Sequence, residues 1–200
     1  SEEQDIEVVA VNDVGDSKNL LYLLKYDSAY GVWEKADQAK INFLQVKDIA
    51  ALPWKDLNVD VVVESTGFYT SYEEAKGHLG AGAKRVVITA PAHGEHDHGD
   101  STLGKTVLMG INEADLATCQ ITSNASCTTN ASSPVIQILH EALGIEKAIL
   151  STTHAYTASQ RIVDSPNTKD FREGRAAAVN IIPSSTGAAI AVTKAFTKLQ

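Results

Sequence analysis

Cysteine is scarce in this 200-residue chain: only Cys119 and Cys127 occur, too few for a disulfide framework and in keeping with a reducing compartment. Aromatic residues make up 6% of the sequence against 44% hydrophobic residues overall. An ordinary aliphatic core is therefore expected, and intrinsic disorder is not. No repeats or low-complexity tracts occur. Basic charge is in deficit as well: 17 Lys and Arg stand against 25 Asp and Glu, a formal net charge of −8. That balance argues against a nucleic-acid partner, because affinity for a phosphate backbone rests on clustered cations. No apolar run nears the roughly 20 residues that cross a bilayer, and Ser1-Glu2-Glu3-Gln4-Asp5 lacks the basic start of a secretory signal. The expectation is a soluble, cytoplasmic protein with no nucleic-acid and no membrane partner. Small anions stay available as ligands, since local backbone N–H groups bind them whatever the global charge.

What the chain does contain is one thiol in an activating context. Ser123-Asn124-Ala125-Ser126-Cys127-Thr128-Thr129-Asn130 sets Cys127 among small hydroxyl and amide side chains, just before an apolar, helix-like segment. A thiol attacks as its thiolate, and the N–H groups and partial positive charge of a helix start lower its pKa. Downstream, His154 in Ser151-Thr152-Thr153-His154-Ala155-Tyr156-Thr157 is the candidate base for covalent catalysis. Nothing near Cys119 suggests activation, and it reads as a structural thiol.

The pattern around these residues alternates strand and helix. Ile6 to Asp13 reads as a buried strand ending in an acid, with a helix from about Lys18 to Lys25 behind Ser17 as N-cap. Val59 to Glu64 reads as a strand, followed by a helix that Ser71 and Glu74 open as a capping box. Arg85–Thr89, Val107–Gly110 and Gln120–Ser123 read as further strands, the last feeding the cysteine. Between Tyr30 and Trp54, pieces such as Ala39-Lys40-Ile41-Asn42-Phe43 suggest small antiparallel strands. After the cysteine come a helix through Pro134 to Leu143 and a strand at Ala148–Leu150. Pro134 fits either the first turn of its helix or a kink. The whole implies an α/β chain with a Rossmann-type, doubly wound parallel sheet over 1–126.

Asp13 sharpens this reading. An acid ending the second strand of such a unit holds the ribose hydroxyls of a dinucleotide about 20 residues after a glycine-rich turn; capping the next turn is the alternative. Only twelve residues precede it, so the sheet is expected to be incomplete, lacking the first strand and the glycine turn. The loop His93-Gly94-Glu95-His96-Asp97-His98-Gly99-Asp100 reads as a solvated polar loop, with a metal site as the lesser alternative.

Ser126-Cys127-Thr128-Thr129-Asn130, His154-Ala155-Tyr156-Thr157 and Pro183-Ser184-Ser185-Thr186-Gly187-Ala188-Ala189 resemble the phosphorylating glyceraldehyde-3-phosphate dehydrogenases. So do Val11-Asn12-Asp13, Tyr26-Asp27-Ser28, Glu64-Ser65-Thr66-Gly67 and Thr89-Ala90-Pro91, in the family's order over essentially the whole chain. The resemblance implies an NAD-binding Rossmann domain over 1–126, joined to the first part of an α+β catalytic domain over 127–200. It implies Cys127 as nucleophile and His154 as base, with Asp13 on the adenosine ribose and Thr66, Gly67 and Thr89 along the dinucleotide. Ser126, Thr128, Thr186 and Gly187 match the seat for inorganic phosphate, and Thr157 a contact to the phosphate of glyceraldehyde 3-phosphate. No metal is implied, and the family is usually homotetrameric. The same comparison leads to the expectation that both ends of a full-length enzyme are missing, and that these residues alone bind NAD poorly and turn over little.

Ser165-Pro166 departs from the Leu-Pro common in NAD-specific members, although Asp13 would repel the 2′-phosphate of NADP. Erythrose-4-phosphate dehydrogenase, of the same fold, is the nearest rival. A Cys–His thiol hydrolase or acyltransferase, and a scaffold role without catalysis, are the rivals from other classes.

Overall fold

A computed structural model describes residues 5–92 and 103–196. The loop from His93 to Asp100, the candidate for a metal in the sequence, lies outside the described residues. The chain divides into two compact units, Ser1–Lys105 with Ala114–Asn124 and Thr106–Glu113 with Ala125–Gln200.

In the first unit, β1 (Val11–Asn12) leads to α1 (Ser17–Lys25) and to the short strands β2 (Tyr26–Asp27), β3 (Gly31–Val32) and β4 (Phe43–Leu44). Then follow β5 (Val61–Glu64), α2 (Tyr72–Gly80), β6 (Arg85–Ile88), β7 (Gly104–Thr106) and β8 (Ile121–Ser123). Six of the eight residues in β5 and β6 are Val or Ile, whose branched side chains suit a pleated surface. These strands and β8 run parallel, Val62 beside Val86 and Val86 beside Ile121, in the sheet order β5-β6-β8-β7. Helix α2 makes the crossover from β5 to β6 and buries Ala75 against Val86, Ile88 and Ile121. Burying a valine or isoleucine side chain such as these three contributes about 1.5–3 kcal/mol relative to leaving it exposed. A second cluster of Leu52, Trp54, Val59, Val62 and Ala83 packs against Val9, Ala10, Leu44 and Val46 and thereby joins β1 and β4 to the sheet.

The capping box that opens α2 is present. Ser71 Oγ accepts from the Glu74 N–H at 3.2 Å, and Glu74 Oε2 accepts from the Ser71 N–H at 3.2 Å. At the start of α1 the cap is Asp16, one residue before the expected Ser17; its carboxylate accepts from the Asn19 N–H at 3.0 Å. Of the strand expected from Ile6 to Asp13, Val11–Asn12 takes the ladder position, beside β4. That pairing is parallel, whereas antiparallel pieces were expected from Tyr30 to Trp54. The antiparallel hairpin is β2 with β3. The Asn12 side chain explains the parallel step. Its amide donates to the Val46 carbonyl at 3.0 Å and accepts from the Val46 N–H at 2.9 Å, prolonging the ladder as a backbone peptide would.

The second unit contains α3 (Cys127–Leu143) and α4 (Ala188–Ala195), with short 3₁₀ turns at Phe171–Gly174 and Ala177–Val179. Leu108, Ala125 and Ala195 form its buried cluster, with Ile111 and Ala191 against them. The strand expected at Val107–Gly110 is displaced to Gly104–Thr106: Val107 and Leu108 are buried and Gly110 turns the chain at φ 78°. Ala148–Leu150 forms no strand, and Ile149 is 98% exposed. Pro134 is the eighth residue of α3, so it belongs to the helix interior. Among the described residues no helix is long and apolar enough to cross a membrane.

Truncation of the buried Ile88 to Ala should lower the unfolding free energy by about 2–5 kcal/mol, and Ser71→Ala by about 1 kcal/mol. Urea titrations of the two variants check this, with an unchanged dependence on denaturant expected for both.

Candidate functional site

The thiol owes its position to a sharp change of backbone direction. Ala125 adopts φ 54° and is 3% exposed, a left-handed conformation that costs a non-glycine residue on the order of 1–3 kcal/mol. Ser126 follows in extended conformation at φ −111°, ψ 164° and caps α3. Its Oγ accepts from the Thr129 N–H at 3.1 Å and bonds the Thr129 hydroxyl at 2.8 Å. Cys127 is the first residue of the helix, and it is exposed.

Cys127 Sγ lies 3.0 Å from His154 Nε2. The far nitrogen of that ring, Nδ1, is 2.7 Å from the Ala155 carbonyl oxygen. A carbonyl only accepts, so Nδ1 carries a hydrogen and Nε2 is left to exchange a proton with the sulfur. Both groups shift accordingly. The His154 hydrogen bond, aided by the Thr128 N–H, holds the Cys127 thiol below its ordinary range against a smaller opposing effect of burial. The Ala155 carbonyl, and then Cys127 itself, raise the His154 pKa. The pair is therefore displaced toward thiolate and imidazolium. Cys119 moves the other way: burial is the largest influence and pushes its thiol up.

The anion candidates of this unit are arranged in local turns. Gly187 caps α4, with open space where a side chain would stand, and Thr186 Oγ1 accepts from the Ala188 N–H at 3.2 Å. That leaves the Thr186 hydroxyl hydrogen for an acceptor such as a phosphate oxygen. The Thr157 N–H donates to Gln160 Oε1 at 2.8 Å, and its hydroxyl is 3.2 Å from Ser159 Oγ. Ser126 and Thr128 flank the thiol directly. Thr157 and Thr186 share no hydrogen bond with Cys127 or His154; each is engaged within its own turn.

In the first unit, the candidates stand at the C-terminal ends of parallel strands. Asp13, exposed, follows β1, and its Oδ1 accepts from the Gly15 N–H at 2.7 Å. The capping alternative is thus realised with one carboxylate oxygen while the other is left for a ligand. Thr66 and Gly67 form the turn after β5, Gly67 at φ 74° with open space around its α-carbon. Thr89, after β6, donates to the Glu64 carbonyl from its N–H at 3.0 Å and from its hydroxyl at 3.2 Å.

One buried group escaped the reading of the sequence. Glu64 is 4% exposed, and its carboxylate bonds His78 and Thr66. The signal was available, because strand alternation puts Glu64 on the same face as Val62. Among the described residues no group of three or more His, Cys, Asp or Glu side chains could hold a metal ion.

The sequence was compared with known proteins. Residues 1–72 match the family model for the glyceraldehyde 3-phosphate dehydrogenase NAD binding domain, and residues 126–200 the model for its C-terminal domain. Glyceraldehyde-3-phosphate dehydrogenases of Chlamydia muridarum and Thermotoga maritima are each 48% identical over 199 residues, covering 94% of this chain and 57% of the relative. Glyceraldehyde-3-phosphate dehydrogenase B of Aspergillus oryzae is 43% identical over 208 residues, covering 98% of this chain and 60% of the relative. The chain thus spans a little over half the length of the curated relatives it matches. With both domain models matched in order and an exposed cysteine paired to a histidine in the second unit, the chain belongs to the glyceraldehyde-3-phosphate dehydrogenase family.

Proposed function

We propose that the whole protein oxidises D-glyceraldehyde 3-phosphate with NAD and inorganic phosphate to 1,3-bisphosphoglycerate, and that the two units divide the work. The first holds NAD and the second carries the thiol chemistry. The observation that carries this reading is the 3.0 Å approach of Cys127 Sγ to His154 Nε2 at the start of α3. A homotetrameric assembly in the cytoplasm is part of the same proposal.

The first unit is suited to NAD. Asp13 has a carboxylate oxygen to spare for ribose hydroxyls, and the open glycine turn at Gly67 lets a ligand approach the backbone. Thr66, Gly67 and Thr89 would lie along the dinucleotide. When bound, NAD supplies the hydride acceptor. The rest is the work of this chain's own residues. The Cys127 thiolate adds to the aldehyde carbon, making a C–S bond as the C=O π bond opens, and the oxygen takes the proton held on His154 Nε2 to become a hydroxyl. His154 Nε2 takes the hydroxyl proton as the carbon is oxidised, leaving a thioester. Phosphate seated by Ser126, Thr128, Thr186 and Gly187 then attacks the acyl carbon, the C–S bond breaks, and Cys127 leaves as thiolate. Thr157 would hold the substrate's own phosphate.

Alkylation of Cys127 by iodoacetamide should reach half its limiting rate at a pH below the ordinary thiol value. Because the bond from His154 lowers the thiol pKa, His154→Asn should move that midpoint upward and slow alkylation at pH 7 by about tenfold. The rate measured against pH checks both statements.

In the whole protein, NADH formation from glyceraldehyde 3-phosphate should require phosphate, disappear in Cys127→Ser and fall about 10²–10⁴-fold in His154→Asn. Ester hydrolysis without NAD, or a clear preference for erythrose 4-phosphate, would overturn the assignment.

The catalytic efficiency with NAD should exceed that with NADP by about tenfold or more, since the Asp13 carboxylate repels a 2′-phosphate, and Asp13→Asn should narrow the gap. Equal efficiencies of the unsubstituted protein with the two cofactors would reject this preference.

A further inference from the structure

Behind the turn that follows β5 lies a continuous hydrogen-bond chain, buried from Trp54 to Glu64. The Trp54 indole N–H donates to His78 Nδ1 at 3.0 Å, and His78 Nε2 is 2.9 Å from Glu64 Oε2. The side chains of His78 and Glu64 are 5% and 3% exposed, and Trp54 is buried. The other carboxylate oxygen, Oε1, accepts from the Thr66 N–H at 2.6 Å and from the Thr66 hydroxyl, which itself accepts from the Phe68 N–H at 3.1 Å. The backbone carbonyl of Glu64 receives both donors of Thr89. One residue thus anchors the two threonines that stand at the ends of β5 and β6.

Each direction in this chain is fixed. Trp54 can only donate, so Nδ1 accepts and the ring hydrogen is on Nε2, aimed at Glu64. The carboxylate receives three hydrogens and offers none. Burial is the largest influence on Glu64 and opposes its ionisation, but the bonds from His78 and Thr66 outweigh it and hold the carboxyl below its usual range. The Thr66 hydroxyl has given its hydrogen to Glu64 and is part of the support.

We propose that Glu64, oriented by His78 and Trp54, is a positioning residue for NAD: it sets the Ser65–Thr66–Gly67 turn and Thr89 in the arrangement that receives the dinucleotide. The inference rests on the NAD reading of the first unit and adds to it residues that touch no ligand. An amide in place of the carboxylate breaks the pattern. A glutamine has one accepting oxygen and one donating nitrogen. Whichever way it turns, its NH₂ meets either the His78 Nε2–H, which is buried, or the Thr66 N–H, and one donor that the carboxylate received loses its acceptor.

The test uses the whole protein carrying Glu64→Gln, His78→Gln or His78→Leu, with NAD affinity measured by calorimetry, kcat at saturating NAD, and amide exchange at Thr66 and Phe68. Glu64→Gln should weaken NAD binding by about tenfold or more and speed exchange at both amides, with kcat within about threefold of the unsubstituted protein. Glutamine at position 78 keeps a donor near the place of Nε2 and should bind NAD within about threefold of the original, whereas leucine should bind about tenfold more weakly. A residue that only fills space would not separate these two. Unchanged NAD affinity in Glu64→Gln, or equal effects of Gln and Leu at position 78, overturns the proposal. If the unsubstituted protein does not bind NAD, the functional reading fails by itself; the Thr66 exchange rate in Glu64→Gln then decides the relay, and an unchanged rate overturns it.

Discussion

Parallel pairing of β5, β6 and β8 is the constraint on which the first unit depends. Because the three strands run the same way, each delivers its last residue to the same end of the sheet. Glu64, Ile88 and Ser123 therefore end side by side in register. Loops leaving that end begin from fixed points, so Thr66 and Thr89 need only short turns to reach a common neighbourhood. A parallel sheet must be covered to persist, and α2 covers it with Ala75 and the buried side chains beneath. Close packing leaves little freedom. A β-carbon on Gly104 would sit 2.3 Å from the Tyr72 ring, and one on Gly82 would meet the Lys55 backbone at 2.7 Å. Helix α2 lies this near β7 because Gly104 carries no side chain.

The second unit solves a different problem, that of lowering the pKa of a thiol in the open. Burial would do the opposite, as Cys119 shows: desolvation dominates there and the thiol is held back. Cys127 is exposed, and two fixed partners do the work instead, the His154 ring and the Thr128 N–H. The ring is itself held by a backbone carbonyl of the adjacent residue. Proton ownership is thus decided by short-range hydrogen bonds, which need no deep pocket.

The residues most legible in the sequence were those whose chemistry is local. Cys127 announced itself by its polar neighbours and the helix behind it, and Ser71 with Glu74 by the spacing of a capping box. Strand runs rich in valine and isoleucine were found where the sheet stands. What failed depended on a partner elsewhere in the chain. Ala39–Phe43 looked like an antiparallel piece, but the amide of Asn12, more than thirty residues away, seats the next segment parallel. Ala148–Leu150 has the composition of a strand and no ladder to join. Val135, Ile138, Leu139 and Leu143 have helical spacing, yet the structure leaves them 44–81% exposed. Glu64 was passed over as a motif letter because His78, which bonds its carboxylate, lies 14 positions off, and Trp54, which bonds His78 in turn, lies 10 positions off in the opposite direction.

Pro134 gives α3 a property that its length alone would not suggest. A proline in a helix interior brings no hydrogen to the carbonyl four residues back, and around it the Ser132 and Ser133 hydroxyls bond the carbonyls of Thr128 and Thr129. The regular ladder is interrupted about two turns beyond the thiol, and the influence of a helix end fades within a single turn. What α3 itself contributes to the Cys127 thiol therefore comes from its first turn, through the Thr128 N–H, while His154 acts from outside the helix. Events on the remainder of the helix, its exposed apolar stripe included, are electrically remote from the sulfur.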